Sequence, residues 1–309
     1  MPLYTKHVFF INNQLVALLV FSIIKYLRLR REEVILIYYR NLEFSFLDFE
    51  KYVYAAKNKK ISRLLSKLGF DLSTREIVKS LKSKNIQYFA YISWDHAILL
   101  PLINSSNCLG HYYVEEGALS YRQGLRYMPP FTNNILREYL MKRIGERSFR
   151  FRSANKGFYC LTNEAFPSFP KDNKVVLSDW KIYDNLDYKY QLIGVHNIGL
   201  FPQTHRIPRS LWKDALVKLA TAINFKGAIK LHPGIYNSKS DVEYISELFH
   251  DLCFDNIFIC SHDAILELEM YKEKKTIYGA RSSLSIYADF LKSNYRHIEF
   301  DGYVHNQLF

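Results

Sequence analysis

The sequence predicts an α/β protein built from two Rossmann-like, doubly wound domains that face each other across a cleft. Three observations lead there. Short apolar runs of strand length alternate with helix-length amphipathic stretches through both halves of the chain. Runs such as Val-Ile-Leu-Ile-Tyr at 34–38 are uninterrupted, as expected of parallel strands covered on both faces. The alternation lapses near mid-chain, in an irregular stretch holding Pro167, Pro170 and Asp172-Asn173. The chain therefore divides into residues 1–165, a linker over 166–189 and residues 190–309. Each half is long enough for a core of its own.

The elements follow in order. Val8 to Ile11 reads as a strand, Asn12-Asn13 as a loop able to cap a helix from Gln14 to about Arg31, and Val34 to Tyr38 as the next strand. Residues 42–56 and 60–68 read as helical or mixed, and Thr74 to Lys84 has helical spacing. Strands are expected at Tyr88 to Ile92 and Cys108 to Val114, separated by a helix from Asp95 to Ile103 that breaks at Pro101. Tyr121 to Pro130 reads as a loop containing Arg122 and Arg126, Ile135 to Ile144 as a helix and Lys156 to Thr162 as strand-like. The second half opens with a strand at Tyr190 to Val195. It continues with a helix at Ser210 to Ile223, a strand at Gly227 to Leu231 and a helix at Val242 to Leu252. A strand at Ile257 to Cys260, a helix at Ala264 to Tyr271, a short strand at Thr276 to Tyr278 and a helix at Leu284 to Leu291 complete it, with no assignment from Tyr295 onward.

Composition narrows the function. Lys plus Arg number 42 against 30 Asp plus Glu, a net charge of +12, which implies an anionic partner. The basic residues are spread out and form no nucleic-acid motif, so no nucleic-acid partner is expected. Cys108, Cys160, Cys253 and Cys260 contain no C-x-x-C pair, the usage of a reducing compartment rather than of a zinc or disulfide framework. The apolar run from Leu15 to Ile24 is too short to cross a bilayer, and its charges (Lys25, Arg28, Arg30, Arg31) follow it where a signal peptide would place them first. A cytoplasmic protein is expected, at the inner face of an anionic membrane if it meets one.

Three stretches carry the chemistry. Glu115-Glu116-Gly117 stands at the end of a strand, where a carboxylate can take the proton of an attacking hydroxyl and a neighbouring carboxylate raises its pKa. Adjacent residues of an extended segment point opposite ways, so only one of the pair faces a site, and which one is left open. Lys230-Leu231-His232-Pro233-Gly234 is a strand that stops at a histidine, because Pro233 pushes His232 out of helical space and Gly234 permits a sharp exit. Gly279-Ala280-Arg281-Ser282-Ser283 joins a strand to a helix and offers N–H groups and hydroxyls to an anion. Glu267 lies where such folds often hold a ribose by its two hydroxyls, with Glu269 as a competitor. Taken singly, these also fit plain structural readings: an acidic turn, a His-Pro turn, a helix cap and a solvated helix face.

Taken together and in this order, Glu115-Glu116-Gly117, His232-Pro233 and Ser282-Ser283 resemble the three motifs of the bacterial GT-B-type sialyltransferases, which include lipooligosaccharide and capsule enzymes and polysialyltransferases. The resemblance implies a GT-B fold and an inverting transfer of sialic acid from CMP-sialic acid to a hydroxyl, such as a terminal galactose, of a surface glycan. It implies Glu115 as base, with Glu116 the other candidate, and His232 assisting departure of the phosphate. Lys230, Pro233, Gly234, Ser282 and Ser283 would lie at the donor, Glu267 at its ribose, with no metal and no cofactor. No D-x-D motif stands in the sequence, consistent with a donor that leaves with one phosphate. Two other readings stand beside it. One is a polysialyltransferase or a relative using CMP-Kdo or a UDP-sugar, and the other a basic, non-enzymatic protein that binds membranes or polyanions.

Overall fold

A computed structural model describes residues 5–39, 44–53, 72–94, 99–128, 149–152, 154–202, 207–236 and 238–301. The chain divides into two units, Met1–Ile182 with the last residue and Tyr183–Leu308.

The first unit opens with β1 (Thr5–Ile11), α1 (Gln14–Tyr26) and β2 (Val34–Tyr38). The Asn13 side chain accepts from Val16 N at 2.8 Å and caps α1. The helix ends five residues short of the expected Arg31, because Arg28 takes a left-handed conformation (φ 53) while the N–H groups of Leu27 and Leu29 return to Ile23 and Ile24. The apolar run inside α1 is core: Leu15 to Val20, Ile23 and Ile24 are buried. Among the described residues, no helix is long and apolar enough to cross a membrane.

There follow β3 (Glu50–Val53), α2 (Leu72–Ser83), β4 (Gln87–Ile92), α3 (Leu100–Ile103), β5 (Cys108–Val114), β6 (Arg126–Met128), β7 (Phe149–Arg152), β8 (Phe158–Cys160) and β9 (Lys174–Val176). Seven strands form one sheet in the order β3-β2-β1-β4-β5-β8-β9, and every pairing in it is parallel. One face carries a core cluster of Val8, Phe10, Ile35, Ile37, Tyr88 and Ala90 with Ile77, Val78 and Leu81 of α2. On the alternate face Phe9 stacks on Tyr91 at 4.2 Å.

Several expectations are corrected. Residues 50–53, read as helical or mixed, are the edge strand β3, and 174–176, read as linker, are the opposite edge strand β9. Residues 126–128, read as loop, pair with β7. The helix expected from Asp95 is described only as the single turn α3, which begins beside Pro101. The helices expected at 60–68 and 135–144 lie outside the described residues.

The second unit contains β10 (Asn197–Leu200), α4 (Trp212–Ala222), β11 (Gly227–Lys230), α5 (Pro233–Tyr236), α6 (Lys239–Asp251), β12 (Ile257–Ile259), α7 (Leu266–Lys272), β13 (Thr276–Gly279), α8 (Leu284–Phe290) and β14 (Asn294–His297). Its five strands, all parallel, run β12-β11-β10-β13-β14. Residues 190–195 are not the opening strand. The N–H groups of Gln191 and Leu192 are held by the Glu269 carboxylate, so they are not offered to a ladder, and the strand begins at Asn197.

Candidate functional site

In a parallel sheet all carboxyl ends lie on one edge, and ligands settle where the strand order reverses. In the first unit the chain leaves β1 toward β2 and β3 and resumes on the other side at β4, so the reversal lies between β1 and β4. The residues that follow those strands are Asn12-Asn13 and Ser93-Trp94, and the next strand, β5, delivers Glu115-Glu116-Gly117.

The structure brings these together around Glu116. Its carboxylate accepts from Asn12 Nδ2 at 2.8 Å and from Trp94 Nε1 at 2.7 Å. Its carbonyl accepts from Asn13 Nδ2 at 3.0 Å, and its N–H donates to Ser120 Oγ at 3.1 Å. Glu116 is half-buried. Glu115 faces the other way and is 0% exposed. One carboxylate oxygen accepts from the Tyr121 hydroxyl at 2.6 Å and the other from Leu161 N at 2.7 Å. So engaged, Glu115 ties the end of β5 to the end of β8 and cannot meet an acceptor hydroxyl without giving up buried hydrogen bonds. Of the two candidates the resemblance leaves for the base, Glu116 is the one held by side chains and Glu115 the one built into the fold. Gly117 has φ 112, a conformation that favours glycine, so the turn geometry itself accounts for the third residue of the motif.

In the second unit the order reverses between β10 and β13. Strand pairing sets Leu200, Lys230 and Gly279 level, so the segments leaving β10, β11 and β13 start from one edge. His232 is half-buried and its Nδ1 accepts from Gly234 N at 3.0 Å. A ring nitrogen that accepts carries no proton, so in the neutral ring Nε2 bears the N–H and is a donor. Gly234 makes this possible, since a Cβ there would stand 3.1 Å from Nδ1. Pro233 starts the one-turn helix α5, where its missing N–H costs nothing.

Lys230, which the resemblance places at the donor, has its ammonium engaged within the protein. It is buried, and its ammonium donates to the carbonyls of Ser261 at 2.6 Å and His262 at 2.8 Å. It braces the end of β12 against β11, and burial lowers its pKa to about 8. The braced loop carries His262, whose ring meets Tyr236 edge-on at 4.8 Å and whose pKa is lowered by burial and by the Lys230 charge. Glu267, at the start of α7, is 8% exposed. Burial raises its carboxyl to about 7, against the opposing pull of Lys230. Glu269 is fully buried and accepts from the Tyr188 hydroxyl and from the N–H groups of Gln191 and Leu192. Ser282 Oγ accepts from Leu284 N at 3.2 Å and caps the helix, while Ser283 occupies the N-cap position without a side-chain cap bond. The Tyr295 hydroxyl donates to the carbonyl of Ala280 and so buttresses the turn.

Sequence reading missed Asn12 and Trp94 as partners of Glu116, and His262 beside Lys230. All three follow strand ends, which is a usable signal for position; that Asn12 and Trp94 meet at Glu116 had none, because their strands lie far apart in sequence. Among the described residues, no group of three His, Cys, Asp or Glu side chains could hold a metal ion. The four cysteines are free, with Cys160 and Cys260 buried, Cys108 half-buried and Cys253 exposed.

No family model matches the sequence, and no curated protein is similar to it in sequence. The structure is similar to that of a UDP-N-acetylglucosamine 2-epimerase from Rickettsia bellii, at 13% identity over 94% of this chain and 78% of that one, with a TM-score of 0.50. The fold is the two-domain Rossmann-like arrangement termed GT-B. Anabaena HepE in complex with UDP-glucose (10% identity, 96% of this chain and 81% of that one, TM-score 0.48) and Acinetobacter baumannii MurG (11%, 98% and 80%, 0.41) are matched more loosely.

Proposed function

We propose that the chain is a glycosyltransferase that moves a sugar from a nucleotide-sugar donor to a hydroxyl of a glycan. The observation that carries this reading is Glu116, a half-buried carboxylate held by Asn12 and Trp94 where the first sheet's strand order reverses. There it takes the proton of the acceptor hydroxyl as that oxygen attacks the anomeric carbon. The bond from that carbon to the donor phosphate breaks, and one displacement inverts the centre. His232 serves the other half of the reaction by donating its Nε2–H to the departing phosphate oxygen. Glu267 accepts the ribose hydroxyls, and Ser283, without a cap bond, is the hydroxyl offered to the phosphate. Lys230 and Ser282 hold the loops that present these groups. No step requires a metal, and transfer is expected to persist in EDTA.

Two donor classes are in contention. A UDP-linked sugar is supported by whole-chain likeness to a protein named for UDP-N-acetylglucosamine. CMP-sialic acid is supported by the three short motifs alone. The first has the broader support. Peripheral contact with the inner face of an anionic membrane, where a lipid-anchored acceptor would lie, fits the charge of +12.

The test is a melting-temperature panel with UDP, UDP-N-acetylglucosamine, CMP and CMP-sialic acid, since a ligand of the native state raises the midpoint. A rise with one nucleotide and its sugar, then release of that nucleotide in the presence of a glycan acceptor, is the expected result. No rise with any nucleotide would overturn the proposal. A rise with CMP and CMP-sialic acid and with neither UDP ligand would move the donor to CMP-sialic acid.

A further inference from the structure

Arg122 closes the turn that follows Glu116. The turn Ala118–Tyr121 folds back on the acidic motif, with Ser120 N donating to Gly117 O at 2.8 Å and Arg122 N to Leu119 O at 3.4 Å. At about 2 Å rise per residue, this short turn keeps Arg122 within roughly 10 Å of Gly117 along the backbone. The side chain is partly buried, and its Nη1 is buried with no hydrogen-bond partner. Among the described residues, no carboxylate pairs with it.

That is unusual within this molecule. The two fully buried lysines are both satisfied: Lys230 by two carbonyls, and Lys275 by the Leu192 carbonyl and the Glu273 carboxylate. Even exposed arginines find acids, Arg30 at Glu32 and Glu33 and Arg31 at Asp48. A buried cationic N–H left unpaired costs about 1–3 kcal/mol or more. Such a group in a native protein calls for an explanation, and a ligand that brings an anion is one. A guanidinium best satisfies itself on a planar, two-oxygen anion.

We infer that Arg122 binds an anionic group, a carboxylate or a phosphate, on the acceptor glycan. The inference rests on the transferase reading in one respect: Glu116, just before the same turn, is the group assigned to the acceptor hydroxyl, whereas the donor phosphate is assigned to the second unit. The acceptor is then an acidic saccharide, and Arg122 selects it over a neutral one.

The test is calorimetric binding of the full chain, without donor, to three oligosaccharides that differ at one end: galactose, glucuronic acid and galactose phosphate. The wild type is expected to bind one acidic probe at least tenfold tighter than the neutral one, and which probe gains identifies carboxylate or phosphate. Arg122→Gln should remove that advantage while leaving the neutral probe's affinity unchanged. Arg122→Lys should retain part of it. Equal binding of all three by the wild type, or a preference that survives Arg122→Gln, would overturn the inference. So would loss of folding in both variants, which would make Arg122 structural. Because no donor is present, acidic-probe binding without turnover on any donor would sink the transferase reading while leaving Arg122 in its role.

Discussion

Each unit holds two glutamates close together in sequence, and each pair is divided the same way. Glu115 and Glu269 are fully buried, and both accept a tyrosine hydroxyl together with backbone N–H, one for Glu115 and two for Glu269. Their neighbours do not. Glu116 accepts from two side chains, and Glu267 receives no side-chain donor among the described residues, only its own N–H. A carboxylate that collects backbone N–H groups pins loops together, and its loss strands buried donors. One that receives side-chain donors, or none, can exchange them for a ligand at little cost to the fold. The comparison therefore separates holding from reacting within each pair.

The largest effect expected is on Glu116. Glu116→Gln keeps an oxygen for Asn12 and Trp94 but removes the proton acceptor, so transfer should fall by about 10²–10⁴-fold. Its melting temperature should stay within about 2 °C of wild type. Glu115→Ala should do the reverse. It leaves the Leu161 N–H and the Tyr121 hydroxyl unpaired and opens a cavity, costing about 3 kcal/mol. A midpoint lower by about 6 °C or more would follow. Transfer assays and thermal melts of both variants decide the matter. If Glu115→Ala melts like wild type yet fails to turn over, the two roles are exchanged.

The His232 turn gives a smaller effect. Gly234→Ala places a Cβ 3.1 Å from Nδ1, so the ring must shift by a few tenths of an ångström against its N–H donor. Transfer should drop about tenfold by misplacing Nε2. Gly234 is exposed, so the melting temperature should not move. Full activity in this variant would mean that the Gly234 N–H does not set the ring's proton.

How much of this was legible beforehand depends on the range of the interaction. The opening strand-helix-strand was readable because its causes are local: an asparagine cap and uninterrupted apolar runs. The histidine at a strand end was readable because Pro233 and Gly234 act on their immediate neighbours. Which glutamate of 115 and 116 faces a site was not, since the answer depends on β8 lying beside β5 and supplying the Leu161 N–H from 46 residues away. The misplaced strand at 190–195 has the same origin, because Glu269 captures those N–H groups from 77 and 78 residues away. That the Lys230 ammonium is taken up by carbonyls was not readable either, because those partners lie 31 and 32 residues on.

The smallest effect sharpens the comparison through pH. Burial raises the Glu267 carboxyl from 4.5 to about 7. Between those values the folded chain holds a proton that the unfolded chain has lost, so this group's contribution to stability falls as pH rises through that range. Glu267→Gln abolishes the penalty. Its melting temperature should therefore gain on wild type by a few degrees between about pH 5 and pH 8, with the gap closing toward pH 4. Ligand binding should move the opposite way. Only the ionised carboxylate accepts from both ribose hydroxyls, so nucleotide affinity should rise by up to about tenfold from pH 6 to pH 8 and be flat in Glu267→Gln. Lys230, the cation that acts on Glu267, stays charged below about 8 and contributes little slope over most of that span. A flat wild-type affinity alongside the expected melting trend would keep Glu267 as a buried carboxylate but remove it from the nucleotide, leaving His232 as the group of the second unit to set beside Glu116.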